Sequence, residues 1–154
     1  MTIEDIQSAI PHRSPFLLID KIIEQTEERI VCQKKFTGDE FWYQGHYPEY
    51  PLTPGVLLCE SALQAGAVLL SSRINESEAQ KSAGIQDGVP VATRLNNVQF
   101  RAMVRPGDEI LLEVELTEQL STAFFMKAKV MNASTAKLAA RLDFACTLAA
   151  KDDL

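Results

Sequence analysis

Residues 55–73 read Gly-Val-Leu-Leu-Cys-Glu-Ser-Ala-Leu-Gln-Ala-Gly-Ala-Val-Leu-Leu-Ser-Ser-Arg, an apolar run without a proline. Thr53 as N-cap and Pro54 at the first helical position predict a helix from Gly55 to about Arg73. Val56, Leu57, Leu58, Leu63, Val68, Leu69 and Leu70 spread around its circumference instead of forming one stripe, and a helix apolar on all sides must be enclosed. Its apolar part, residues 55–70, is short for a membrane span of about 20 residues and carries Glu60 and Gln64, so a buried core helix is expected. Something else in the chain has to wrap it.

The wrapping comes from strands. Ile110, Leu112, Val114 and Leu116 alternate with polar neighbours, as do Leu138, Ala140, Leu142, Phe144 and Cys146. In "AFFMKAKVM", Phe124, Met126, Ala128 and Val130 share one side, and Phe125 and Met131 fall on the other, a face suited to another subunit. "RPGDE" and "NAST" supply turns at hairpin spacing. "FLLIDKIIE" and "ERIVCQKKF" flank the polar "QTEE" as a hairpin, although the first also fits a helix. Thr2 and Asp5 form a capping box for a short peripheral helix that Pro11 ends, and "NESEAQKSAGIQDG" is a polar surface loop or a frayed helix. The expected class is α+β, an antiparallel sheet curled around one long central helix, as a single domain over residues 1–154.

A formal charge of −6 disfavours nonspecific nucleic-acid binding, which needs a basic surface to displace counterions. Cys32, Cys59 and Cys146 lie far apart in apolar settings with no C-x-x-C pair, which fits reduced core residues in the cytoplasm. The N-terminal MTIEDIQSAI has no basic region ahead of an apolar stretch, so it does not read as a secretory signal. There is no G-x-G-x-x-G, no P-loop and no G-x-S-x-G elbow. The two histidines, His12 and His46, lack metal-ligand spacing, so no metal is expected.

Two residues carry chemistry. Glu60 is the one acid in the apolar helix, and burial without a cationic partner would raise its carboxyl above about 4.3 and make it a proton donor. Gln64, one turn on, lies on the same face and can orient it. His46, between aromatics and prolines, is a candidate base, its bland alternative being a loop histidine satisfied by backbone. The amides of Gly55 and Val56 are unpaired within the helix and sit at the positive end of its dipole, where a carbonyl gaining negative charge can dock. A base, a proton donor and an oxyanion site together suit proton abstraction beside a carbonyl with loss of a β-hydroxyl, a dehydration that needs no cofactor.

"PHRSPFLLID", "GHYPEYPLTPGVLLCESALQAG" and "NNVQFRAMVRPGDEI" resemble the 3-hydroxyacyl-acyl carrier protein dehydratases of fatty acid synthesis, the FabZ-type hot-dog proteins. The resemblance runs from about Pro11 to the C-terminus. It implies a hot-dog fold, His46 as catalytic histidine, Glu60 as catalytic carboxylate, and Gly55 and Val56 as the helix start that holds the thioester carbonyl. It also implies an active site that pairs the histidine of one subunit with the glutamate of the other. The minimal unit is then a homodimer, often built into a trimer of dimers. The expected reaction converts a (3R)-3-hydroxyacyl thioester into the trans-2-enoyl thioester on an acidic acyl carrier protein. Glutamate at position 60 resembles the branch that does not efficiently isomerise the new double bond. Phe16, Val98 and Phe100 are acyl-channel candidates by position, and Arg94, Arg101 and Arg105 are candidate carrier contacts. Tyr47 and Tyr50 either gate the channel or cover the helix end. His12 and Asp20 match the family's N-terminal segment, where a structural role in the turn is expected.

The chain departs from the family pattern at Thr53, at "SALQAG", and in "VPVATRLNNVQF", where Arg94 replaces a smaller residue and Asn97 a lysine or similar one. Chain-length preference and carrier are therefore open. A hot-dog acyl thioesterase is the alternative enzyme, and a noncatalytic acyl-thioester-binding subunit the alternative of another class; retention of His46 and Glu60 argues against both.

Overall fold

In the computed structural model, residues 1–74 and 88–150 are described. The polar stretch expected as a loop or frayed helix falls, apart from Gly88, outside the described residues.

Helix α1 (Ile3–Ala9) opens at Thr2, whose N–H donates to the Asp5 carboxylate at 2.7 Å. It lies at the edge but plants Ile6 in the core. Strands β1 (Lys21–Gln25) and β2 (Arg29–Lys35) pair as the expected hairpin, which resolves the helix-or-strand ambiguity of "FLLIDKIIE". Helix α2 spans Gly55–Ile74. Strands β3 (Val89–Phe100), β4 (Glu109–Leu120), β5 (Ala123–Asn132) and β6 (Lys137–Ala149) complete the chain.

All six strands form one antiparallel sheet in the order β1-β2-β4-β5-β6-β3. Because side chains alternate between faces, each register line carries one character across the sheet. Ile30, Val114, Ala128 and Leu142 stand in one such line and Cys32, Leu112, Val130 and Ala140 in the next, all buried. The neighbouring line on the outer face is Val31, Glu113, Lys129 and Arg141, mostly charged. The inner face curls over α2, which packs against β2 through β6. Leu58, Cys59, Ala62, Ala65, Gly66, Leu69 and Leu70 are buried on one side of the helix and Ser61, Gln64, Ala67 and Val68 on the other, as its pattern requires. By length and composition α2 could cross a membrane; here it is the enclosed core helix. Each large aliphatic side chain so buried contributes about 1.5–3 kcal/mol.

Three details differ from the sequence expectation. Val56 is 70% exposed, so the helix is enclosed only beyond its first turn. The Thr53 hydroxyl does not turn to the helix; it meets the Tyr43 phenol at 2.6 Å, and the helix starts at Gly55. In β6 a register shift opposite Val130 and Met131 brings Ala139 inside and leaves Leu138 half-buried, breaking the alternation there.

Candidate active site

The chain reaches His46 through a loop held by one carboxylate. Glu40 accepts the N–H groups of Thr37 at 2.8 Å and Gly38 at 2.9 Å. Partial burial pushes the Glu40 carboxyl up, but these backbone N–H groups draw it further down, and it lies below its ordinary value. A short 3₁₀ helix, Phe41–Gln44, then buries Trp42 and Tyr43, with Trp42 edge-on to Phe36. Burial raises the Tyr43 phenol, although its hydrogen bond to Thr53 opposes this. The aromatic pair anchors the turn in which the His46 N–H donates to the Trp42 carbonyl at 3.1 Å. At Tyr47 the backbone enters the left-handed region, φ 55°, and its ring meets the His46 ring edge-on at 4.8 Å.

His46 is half-buried, and its Nδ1 lies 2.8 Å from the Leu52 carbonyl oxygen. A carbonyl can only accept, so Nδ1 carries the proton and donates. The same tautomer leaves Nε2 with a lone pair, the state a general base requires.

Glu60 stands one and a half turns into α2 with its side chain 25% exposed. Gln64 Nε2 donates to Glu60 Oε1 at 3.2 Å. Gln64 is itself locked: its Oε1 accepts the Leu18 N–H at 2.8 Å, and its Nε2 also donates to the Phe16 carbonyl at 2.8 Å. The buried amide thus ties the extended segment before β1 to the helix and orients the acid. Glu60 Oε1 also lies 3.5 Å from His12 Nε2, a contact that sequence reasoning missed. The "PHR" motif was the available signal, and a role in the turn alone was expected. The turn is held instead by Arg13, which donates to the carbonyls of Gln7, Ile10 and His12. Asp20 does serve structure, accepting the Lys35 N–H at 2.7 Å and pairing with Lys34.

At the helix start the N–H groups of Gly55 and Val56 have no backbone partner among the described residues. The Phe100 ring lies directly over Gly55, where a Cβ would stand 2.7 Å from its Cε1. Val56, Phe100, Tyr47 and Tyr50 are exposed.

Beside Glu60 lies a cavity of about 340 Å³, lined by Pro11, His12, Leu63, Gln64, Ala67, Val89, Pro90, Val91, Ala92 and Cys146 together with Glu60. Two wider concavities are less suited to an acyl chain: one crosses the charged outer face of the sheet, the other runs beside α1. Of the three channel candidates, none lines the cavity beside Glu60. Phe16 contributes its carbonyl to Gln64 and leaves its ring 41% exposed, Val98 packs on the core, and Phe100 covers Gly55. The part of that strand that lines the cavity is its beginning, Val89 to Ala92.

Within one chain Glu60 contacts His12 and Gln64, His46 contacts Leu52, and no hydrogen bond or ion pair among the described residues joins His46 to Glu60. The strand that lines the cavity, β3, is an edge of the sheet, and Ala92 through Asn97 are exposed. The cavity wall is therefore open where β3 ends the sheet.

The FabA-like domain family model matches residues 10–139. The 3-hydroxyacyl-[acyl-carrier-protein] dehydratase FabZ of Clostridium perfringens is 40% identical over 128 residues, 83% of this chain and 86% of that protein. FabZ of Bacillus cereus is 41% identical over 119 residues, 76% of each. Among solved structures, the dehydratase heterocomplex ApeI:P from Xenorhabdus doucetiae superposes with a TM-score of 0.74 at 14% identity, covering 96% of this chain and 92% of that one. The PaaI protein of E. coli superposes with a TM-score of 0.62 at 17% identity, covering 82% and 81%. These likenesses show the hot-dog fold.

Proposed function

The chain belongs to the FabA-like family, among its FabZ-type dehydratases, and from that premise we propose that it dehydrates (3R)-3-hydroxyacyl thioesters to trans-2-enoyl thioesters on acyl carrier protein. It is a hydro-lyase of fatty acid or related lipid synthesis, soluble and cytoplasmic.

The tautomer of His46 carries this reading. With Nδ1–H given to Leu52, Nε2 is the atom that removes the C2 proton. Glu60, oriented by Gln64, protonates the departing hydroxyl, which leaves as water while the C2 electron pair becomes the double bond. Negative charge that builds on the thioester carbonyl meets the free N–H groups of Gly55 and Val56 at the helix N-terminus.

The separate contacts of His46 and Glu60 within one chain support a site shared between two subunits, His46 from one and Glu60 from the other. A second copy seated along β3 would close the open cavity wall. The minimal active unit is a homodimer, and a trimer of dimers is its larger form. Arg94 and Arg101 are exposed carrier contacts; Arg105 stacks its guanidinium 4.4 Å from the Tyr50 ring.

Turnover of 3-hydroxyacyl and 2-enoyl thioesters on carrier protein tests the reading. His46→Ala and Glu60→Gln should each lower kcat by at least about a hundredfold while the variants stay folded. A wild type that binds these thioesters and dehydrates none of them would contradict it.

A further inference from the structure

Glu60 has two oxygens, and the structure treats them unequally. Oε1 receives the Gln64 amide at 3.2 Å and faces His12 Nε2 at 3.5 Å. Gln64 supplies Nε2–H because its own oxygen is occupied by the Leu18 N–H, which fixes the amide orientation.

His12 has a tautomer preference of its own. Its Nδ1 is buried and has no hydrogen-bond partner among the described residues. A proton there would be a buried donor without an acceptor, and Nε2 would then turn a lone pair toward an oxygen lone pair of Glu60. With the proton on Nε2, only the Nδ1 lone pair goes unmatched, and the Nε2–H stands within ion-pair distance of Oε1, 3.5 Å away. Oε1 then receives the Gln64 hydrogen bond and has the His12 Nε2–H beside it. When Glu60 carries its proton, Oε1 is the carbonyl-like acceptor and the proton resides on Oε2.

We propose that His12 is a positioning residue for Glu60: with Gln64 it reserves Oε1 as acceptor and leaves Oε2 to exchange the proton with the substrate hydroxyl. This rests on Glu60 being the acid of the reaction. His12 is suited to the task because Arg13 pins the backbone around it, donating to the His12 carbonyl at 2.7 Å and to the Ile10 carbonyl at 2.8 Å. It also lines the cavity that Glu60 enters. A glutamate one turn above a glutamine could swing about its side-chain torsions; a second donor from a different segment removes that freedom.

The test compares His12→Leu, His12→Gln and His12→Asn with wild type and Glu60→Gln, reading kcat and KM on 3-hydroxyacyl-carrier protein and the thermal midpoint of each. Glutamine places its amide nitrogen near the position of Nε2; asparagine places its own near Nδ1, out of reach of Glu60. His12→Leu and His12→Asn should lose about tenfold or more in kcat with KM little changed, and His12→Gln should stay within about threefold of wild type. Should the leucine variant not fold, the glutamine–asparagine contrast carries the same information. Wild-type kcat in His12→Leu, or equal losses in His12→Gln and His12→Asn, overturns the assignment. If Glu60→Gln keeps full turnover, the acid role of Glu60 fails and the His12 proposal with it. If Glu60→Gln is inactive and the His12 variants are unaffected, His12 alone is misassigned.

Discussion

Gly66 and Phe144 meet with no room for a methyl group between them: a Cβ on Gly66 would stand 2.8 Å from the Phe144 Cζ and 3.2 Å from the Met126 sulfur. Here α2 packs directly on β5 and β6. Both neighbours are buried, so neither can swing aside into solvent. Gly66→Ala should therefore destabilise the fold by about 1–3 kcal/mol through overpacking, although alanine is the better helix former. Chemical denaturation would measure it, and an alanine variant at least as stable as wild type would contradict the close packing described.

Glu40 holds the loop leading to His46 through two backbone N–H groups. Its carboxyl is lowered in the folded protein relative to an ordinary value of 4.5. The carboxylate therefore contributes stability that is fully present above that value and is lost as pH falls through the lower folded one. Glu40→Gln should cost about 1–2 kcal/mol at pH 7. The gap to wild type should shrink once the pH is taken below about 4. Urea midpoints across that range provide the check; a gap that stays constant with pH would assign the loss to shape and not to charge.

Cys146 lines the cavity beside Glu60, yet burial pushes its thiol up to about 12, as it does that of Cys32. Burial raises Cys59 as well. At pH 8 the thiolate population of Cys32 and Cys146 is then on the order of one part in ten thousand. Iodoacetamide should leave the folded enzyme unmodified and active, and modify all three cysteines once it is unfolded in guanidinium. Rapid labelling of native protein with loss of turnover would contradict this.

Periodicity carried the fold because burial is its cause. A helix apolar around its circumference and strands such as Ile110–Val114 admit few arrangements other than a sheet closed over a helix. The site was partly legible for the same kind of reason: one acid and one amide at i and i+4 on an apolar helix, Glu60 and Gln64, are bound to share a face. The His12 contact was not legible, since Pro11 to Leu18 is an irregular segment with a turn at Ser14–Phe16, whose path depends on the Gln64 amide gripping Phe16 and Leu18. Nor was the location of the cavity wall. Position alone nominated Val98 and Phe100, whereas bulges at Ala92/Arg94 and Asn96/Gln99 shift the register of β3 on β6. The bulge at Asn97, φ 53°, is stabilised by its amide donating to the Asp143 carboxylate, a long-range contact that local pattern does not encode.

Mixing two inactive variants tests most directly whether the site is built from His46 of one subunit and Glu60 of another. His46→Ala and Glu60→Gln are each purified, assayed alone, then unfolded together in equal amounts, refolded and assayed on 3-hydroxyacyl-carrier protein. If the site is shared, each mixed dimer regains one intact site of two, and the random mixture recovers about a quarter of wild-type turnover. If the two residues act within one chain, no mixed dimer has an intact site. The mixture then stays as inactive as its parents, and the shared-site account is wrong.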